Sequence, residues 1–171
     1  TDARETRVLP GDDPEAIPLA VRTLQRGGLV VFPTDTVYGV GCDLRNATAL
    51  ERLYAAKERP RDMAIPVLLS GPEQGHQVAG DIPEELSTVA AGFWPGGLTV
   101  ILPRQPELPE ILTAGGDTVA VRLPDHPLAR ALIEAAGGAL AVTSANRSGS
   151  PAPDTAAGGL ADLNGRVELV L

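Results

Sequence analysis

Residues 29–69 read LVVFPTDTVYGVGCDLRNATALERLYAAKERPRDMAIPVLL. Leu29–Phe32 is an unbroken apolar run, the signature of a strand covered on both faces, and Ile65–Leu69 reads as another short buried strand. Between them Leu50, Leu53, Tyr54 and Lys57 fall at i, i+3, i+4 and i+7, which predicts a helix with Lys57 on the last turn of its buried stripe. Thr48-Ala-Leu-Glu51 has the form of a capping box at the helix start. Pro60 forbids further regular helix and pushes Arg59 out of the α region. Just upstream, Ile17, Val21 and Leu24 set a helix within residues 13–26, beginning at Pro14 or at Pro18 and stopped by Gly27-Gly28. A helix, a glycine pair and a buried strand in succession indicate an α/β architecture.

The alternation continues outward. Thr6–Leu9 reads as a short edge strand, residues 73–80 as a loop or short polar helix, and Pro83–Ala91 as a helix ended by Gly92. Leu98–Leu102 is an expected strand, reached through the tight turn Phe93–Gly97. In Thr118–Leu123 the alternation puts Thr118, Ala120 and Arg122 on one face. His126-Pro127 opens a helix closed by Gly137-Gly138, Ala139–Val142 is again a buried strand, Thr155–Leu160 is a short helix, and Arg166–Leu171 starts a further strand. No repeat or linker divides the chain, so residues 1–171 are expected to form a single domain.

Composition narrows the function. At 171 residues, 43% hydrophobic and 21% charged, the chain has globular values and length enough for a proper core. Aromatic residues at 3% argue against a stacking platform for single-stranded nucleic acid, and a net charge of −8 disfavours a general nucleic-acid coat protein. The single cysteine, Cys42, permits no internal disulfide, fits a reducing cytosol, and is better read as a buried small hydrophobe than as a ligand or nucleophile. His76 and His126 lack metal-type spacing. No apolar leader and no membrane-length apolar run is visible, so a cytoplasmic protein without a membrane partner is expected.

Lys57 is the only lysine beside thirteen arginines. It fits a site for a multiply charged anion, in which a compact ammonium and a guanidinium fork act together at one helix end, and it fits equally an accident of an arginine-rich composition. Residues two apart on a helix point to opposite sides, but the Pro60 break could turn Arg59 back beside Lys57. Two further polar clusters directly follow buried strands, where open α/β sheets place ligands: Thr34, Asp35, Thr36 and Tyr38 after the first, and Thr143, Ser144 and Asn146 after the last. Gly39 and Gly41 would allow a turn or the close approach of a ligand. Arg122 beside Thr118 suits an acid group or a surface salt bridge. There is no phosphate-binding GxxxxGK[ST] loop, no GxGxxG opening a helix after a strand, and no GxSxG elbow. An inventory rich in positioners and poor in bases suits phosphoryl or adenylyl transfer, in which the substrates bring the nucleophile.

In this order and spacing, FPTDTVYGVGCD, KERPRD, FWPGGLTVIL, VAVRLPDHP and TSANRSG resemble the YrdC-like threonylcarbamoyl-AMP synthase family over about residues 15–160. The paired K-x-R and S-x-N motifs of that family match Lys57/Arg59 and Ser144/Asn146. The resemblance implies a YrdC-like fold, a twisted, mixed parallel and antiparallel open sheet flanked by helices. It implies a nucleotidyltransferase that joins L-threonine, bicarbonate and ATP into threonylcarbamoyl-AMP, releases pyrophosphate, and uses Mg²⁺ held mainly by the ATP phosphates. Carried over position by position, Thr36, Arg122 and Ser144 would hold threonine, Lys57, Arg59, Thr118 and Asn146 would hold ATP, and Lys57 and Arg59 would be the catalytic pair. Downstream tRNA-modification proteins are the implied partners, and tRNA itself a further one. The alternatives are a carbamoyl-adenylate-forming module and a non-catalytic double-stranded RNA or tRNA binder. Asp154, Met63 and Leu68 stand where the family pattern differs, and the C-terminal end is expected to be shorter than is usual there.

Overall fold

Val30, Val31 and Phe32 are wholly buried as β2 (Val30–Phe32), near the middle of the sheet. The computed structural model describes residues 5–171. The other strands are β1 (Arg7–Val8), β3 (Gly39–Cys42), β4 (Val67–Leu69), β5 (Val100–Pro103), β6 (Thr118–Arg122), β7 (Ala139–Ser144) and β8 (Leu169–Val170). They form one sheet in the order β1-β8-β2-β3-β7-β4-β6-β5. β8 runs parallel to β1 and β2, and β4 parallel to β6. The pairs β2–β3, β3–β7, β4–β7 and β5–β6 are antiparallel, so the sheet is mixed, as expected.

Among the described residues five α-helices flank it: α1 (Ala16–Gln25), α2 (Ala47–Lys57), α3 (Glu85–Phe93), α4 (Pro127–Ala135) and α5 (Ala156–Leu163). Strand alternation sorts the core into two clusters. Val31, Val40, Cys42, Val67, Leu69, Val119 and Val121 pack with Leu50, Leu53 and Tyr54 of α2, Ala90 of α3 and Leu163 of α5. Val30, Phe32, Leu68, Leu140 and Val142 pack with Ala16, Ala20 and Leu24 of α1 and Leu132 and Ile133 of α4. On the α1/α4 side the cover stops short of β5 and β6, where Ile101 is 61% exposed and Thr118 is exposed. That open end of the sheet makes room for a site.

Four sequence expectations are corrected. Gly39 and Gly41 are strand residues rather than a turn: a Cβ on Gly41 would lie 3.2 Å from both Phe32 and Val142, and one on Gly39 2.8 Å from Val142. Glycine suits β3 because Val142 of the neighbouring strand lies close against both positions. The α2 cap is Asn46, whose side chain accepts from the Ala49 N–H, so the Thr48–Glu51 pattern lies inside the helix. Helix α1 starts between the two candidate prolines, with Pro18 in the first turn, where its missing N–H costs no helical bond. Helix α3 runs through Gly92 and stops at Trp94, whose extended backbone is what the following Pro95 demands.

Candidate active site

Lys57 completes α2 and is 2% exposed. Its ammonium donates to the Ser144 carbonyl at 2.5 Å, the Asn146 carbonyl at 2.8 Å and Asn146 Oδ1 at 3.3 Å, which uses all three donors. The Ser148 N–H returns a bond to the Lys57 carbonyl at 2.7 Å, so the helix end and the segment after β7 hold each other. Burial lowers the Lys57 pKa, the Arg59 charge lowers it further, and Asp162 opposes them, leaving it at about 8. The lysine is therefore still mainly cationic at neutral pH.

The next residue, Glu58, is left-handed at φ 53°, which reverses the chain before Pro60. That reversal brings Arg59 against the same wall. Its Nε donates to the Met63 carbonyl at 3.1 Å, Nη2 to the Ala64 carbonyl at 2.7 Å and Nη1 to Thr143 Oγ1 at 3.4 Å. Met63 thus serves through its backbone; its side chain is 49% exposed.

A cavity of about 170 Å³ lies on the open side of the sheet. Thr34, Thr36, Val37 and Gly39 line it from the β2–β3 connection and β3, and Thr143 and Ser144 from the end of β7. Arg122, the last residue of β6, enters it, while Leu68 and Val142 give it an apolar floor. Ligand pockets usually run to about 300–1,000 Å³, so this one suits an amino acid rather than a whole nucleotide. Arg122 Nη1 donates to Asp35 Oδ1 at 2.7 Å and to the Gly96 carbonyl at 3.2 Å, and Nη2 faces Thr36 Oγ1 at 3.5 Å. Although its own burial raises the pKa of Asp35, the hydrogen bond and charge of Arg122, with backbone N–H groups, bring the net value below the usual carboxylate range.

Thr36, Arg122 and Ser144 therefore meet in one cavity, and Lys57 and Arg59 bind the segment that forms its β7 wall. Thr118 does not join them: it is exposed at the other end of β6, opposite Pro103 and about 13 Å from Arg122 at strand rise. Asn146 is beside Lys57, yet its amide donates to the Arg147 and Ser150 carbonyls, so its side chain is occupied within its own loop. Sequence reasoning missed Asp35 as the partner of Arg122. The only signal was a carboxylate set between two threonines in PTDT, a pattern that a plain turn also produces.

Fold and cavity together define an open mixed α/β sheet with a small, polar-lined cavity at its uncovered end. Within that class, a family model described as "Telomere recombination" (Sua5_yciO_yrdC) matches residues 22–171, and the chain belongs to this Sua5/YciO/YrdC family. It is 44% identical over 163 residues to the threonylcarbamoyl-AMP synthase of Bacillus subtilis strain 168, an alignment covering 95% of this chain and 47% of that protein. Sua5 of P. abyssi, solved with L-threonine, superposes with a TM-score of 0.88 at 38% identity, over 98% of this chain and 48% of that one. YciO of E. coli superposes with a TM-score of 0.82 at 25% identity, over 98% of this chain and 82% of that one. The chain spans about half the length of the Bacillus and P. abyssi proteins. Among the described residues no helix is long and apolar enough to cross a membrane.

Proposed function

We propose that the protein forms threonylcarbamoyl-AMP from L-threonine, bicarbonate and ATP, with release of pyrophosphate. The observation that carries this reading is the convergence of Thr36, Arg122 and Ser144 on a cavity the size of an amino acid, beside the wall held by Lys57 and Arg59. Arg122 pairs the threonine carboxylate, and the Thr36 and Ser144 hydroxyls hold its polar groups. The threonine amine and bicarbonate give a carbamate and water. A carbamate oxygen then attacks the α-phosphorus of ATP and pyrophosphate leaves. Arg59 has N–H groups beyond those bonded to Met63, Ala64 and Thr143, and these stabilise the developing phosphate charge. ATP reaches out of the cavity along the open face of the sheet, on which Thr118 also lies.

Mg²⁺ belongs to the substrate in this reading. Among the described residues no group of three His, Cys, Asp or Glu side chains could hold a metal ion, and Asp35 is committed to Arg122. The ion arrives on the ATP phosphates, which hold most of its coordination. The mixed anhydride product is a reactive donor that a downstream enzyme would transfer to an adenosine of tRNA. The test is pyrophosphate release measured with each substrate omitted in turn. Release that requires ATP, threonine and bicarbonate together supports the reading; release with ATP alone, or none with all three, refutes it.

A further inference from the structure

The ion pair between Asp35 and Arg122 lies at the cavity but is not part of its lining on the Asp35 side. Both side chains are largely enclosed, at 15% and 12% exposure, and their 2.7 Å contact joins the β2–β3 connection to the end of β6. The Asp125 backbone N–H, in the segment that follows β6, also favours the charged Asp35 carboxylate. Arg122 offers two edges. Both hydrogens of Nη1 are taken, one by Asp35 and one by Gly96, whereas Nε has no partner among the described residues and Nη2 has only the long contact to Thr36. Nε and Nη2 point the same way and make the side-on fork that matches a carboxylate with two parallel bonds.

We propose that Asp35 is a positioning residue of the amino-acid subsite: by holding Nη1 it turns the Nε–Nη2 fork of Arg122 to the cavity and cancels one positive charge there, so that the site takes a single carboxylate. This rests on the threonine reading above. Asp35 does not touch the substrate. It sets which edge of Arg122 does, and it keeps the local charge balanced for a zwitterion rather than a dianion.

Asp35→Asn keeps the side chain's size and its place at the loop but removes the charge that fixes Nη1. The KM for threonine, and the threonine Kd by calorimetry, should rise about tenfold, which corresponds to about 1.4 kcal/mol. The KM for ATP and kcat at saturating threonine should stay within about twofold, a split that a merely structural role would not give. Unchanged threonine affinity, or threonine and ATP affinities falling together, overturns the proposal. Should the variant melt below assay temperature, the wild-type protein reads the same geometry: saturating threonine should shift the Arg122 Nε–H NMR signal, and a bound state in which it does not move is equally fatal. Wild type that turns over while the variant shows no selective loss sinks only the role of Asp35. Wild type that binds no threonine sinks the functional reading with it.

Discussion

Replacing Lys57 by methionine and by alanine should have different consequences. Methionine matches the lysine stem atom for atom up to the ammonium, so it removes the charge and the donors while keeping the buried chain. Of the three acceptors, the Ser144 carbonyl retains the Asn146 N–H, while the Asn146 carbonyl and Oδ1 have no other donor among the described residues. Two orphaned acceptors cost about 2 kcal/mol each, roughly 4 kcal/mol together. Against this, the fall of the Lys57 pKa from 10.5 to about 8 reflects a buried-charge penalty, and at 1.36 kcal/mol per pH unit its removal returns roughly 3 kcal/mol. The terms nearly cancel, so Lys57→Met should lose about 1 kcal/mol, or ~2–4 °C in Tm for a chain of this size. Lys57→Ala also empties the space of three methylene groups, a further loss of about 2–3 kcal/mol before any cavity cost, and should melt near 10 °C lower. Both should lower pyrophosphate release by about a hundredfold, because the Ser144–Asn146 segment that walls the cavity loses the ammonium that holds it in place. Calorimetric melts beside the pyrophosphate assay read all of this. A methionine variant that melts as low as alanine refutes the cancellation, and an alanine variant with wild-type Tm refutes the burial. Methionine, not alanine, is the clean probe of function here.

Further outcomes follow from the same geometry. The unfolded chain binds more protons at Lys57 than the folded one between pH 8 and 10.5, so stability should rise with pH through that window and the rise should vanish in Lys57→Met; urea midpoints at pH 7.5 and 9.5 compare them, and equal slopes in the two proteins would contradict the buried ammonium. Asn46→Ala should cost about 1 kcal/mol by removing the α2 cap, and Thr48→Ala less than about 0.5 kcal/mol. The reverse ranking in denaturant melts would restore the capping box at Thr48. Gly39→Ala drives a Cβ to 2.8 Å from Val142 and should cost about 1–3 kcal/mol, with Val142→Ala recovering much of it in the double variant; no recovery would place the strain elsewhere.

The α/β alternation, the buried runs at Leu29–Phe32 and Ala139–Val142, and the position of Lys57 at the end of the α2 stripe were all legible in the chain alone. These are local matters of periodicity, and a helix stripe or an apolar strand declares its face wherever it lands. The five ordered motifs also identified the family, because their joint spacing is far more specific than any one of them. The turn offered for Gly39 and Gly41 was wrong because a glycine's reason can lie in a neighbour distant in the chain, here Val142 from another strand. Asn46 was missed as the cap because two overlapping cap patterns differ by only two residues, and the first turn of the helix decides between them. Only the tertiary structure could pair Asp35 with Arg122, 87 residues apart, separate Thr118 from the cavity, or turn the Lys57 ammonium onto the carbonyls after β7. A strand fixes which face a side chain leaves from, but what it meets there depends on which strands stand beside it, and that order is set by the packing of the whole sheet.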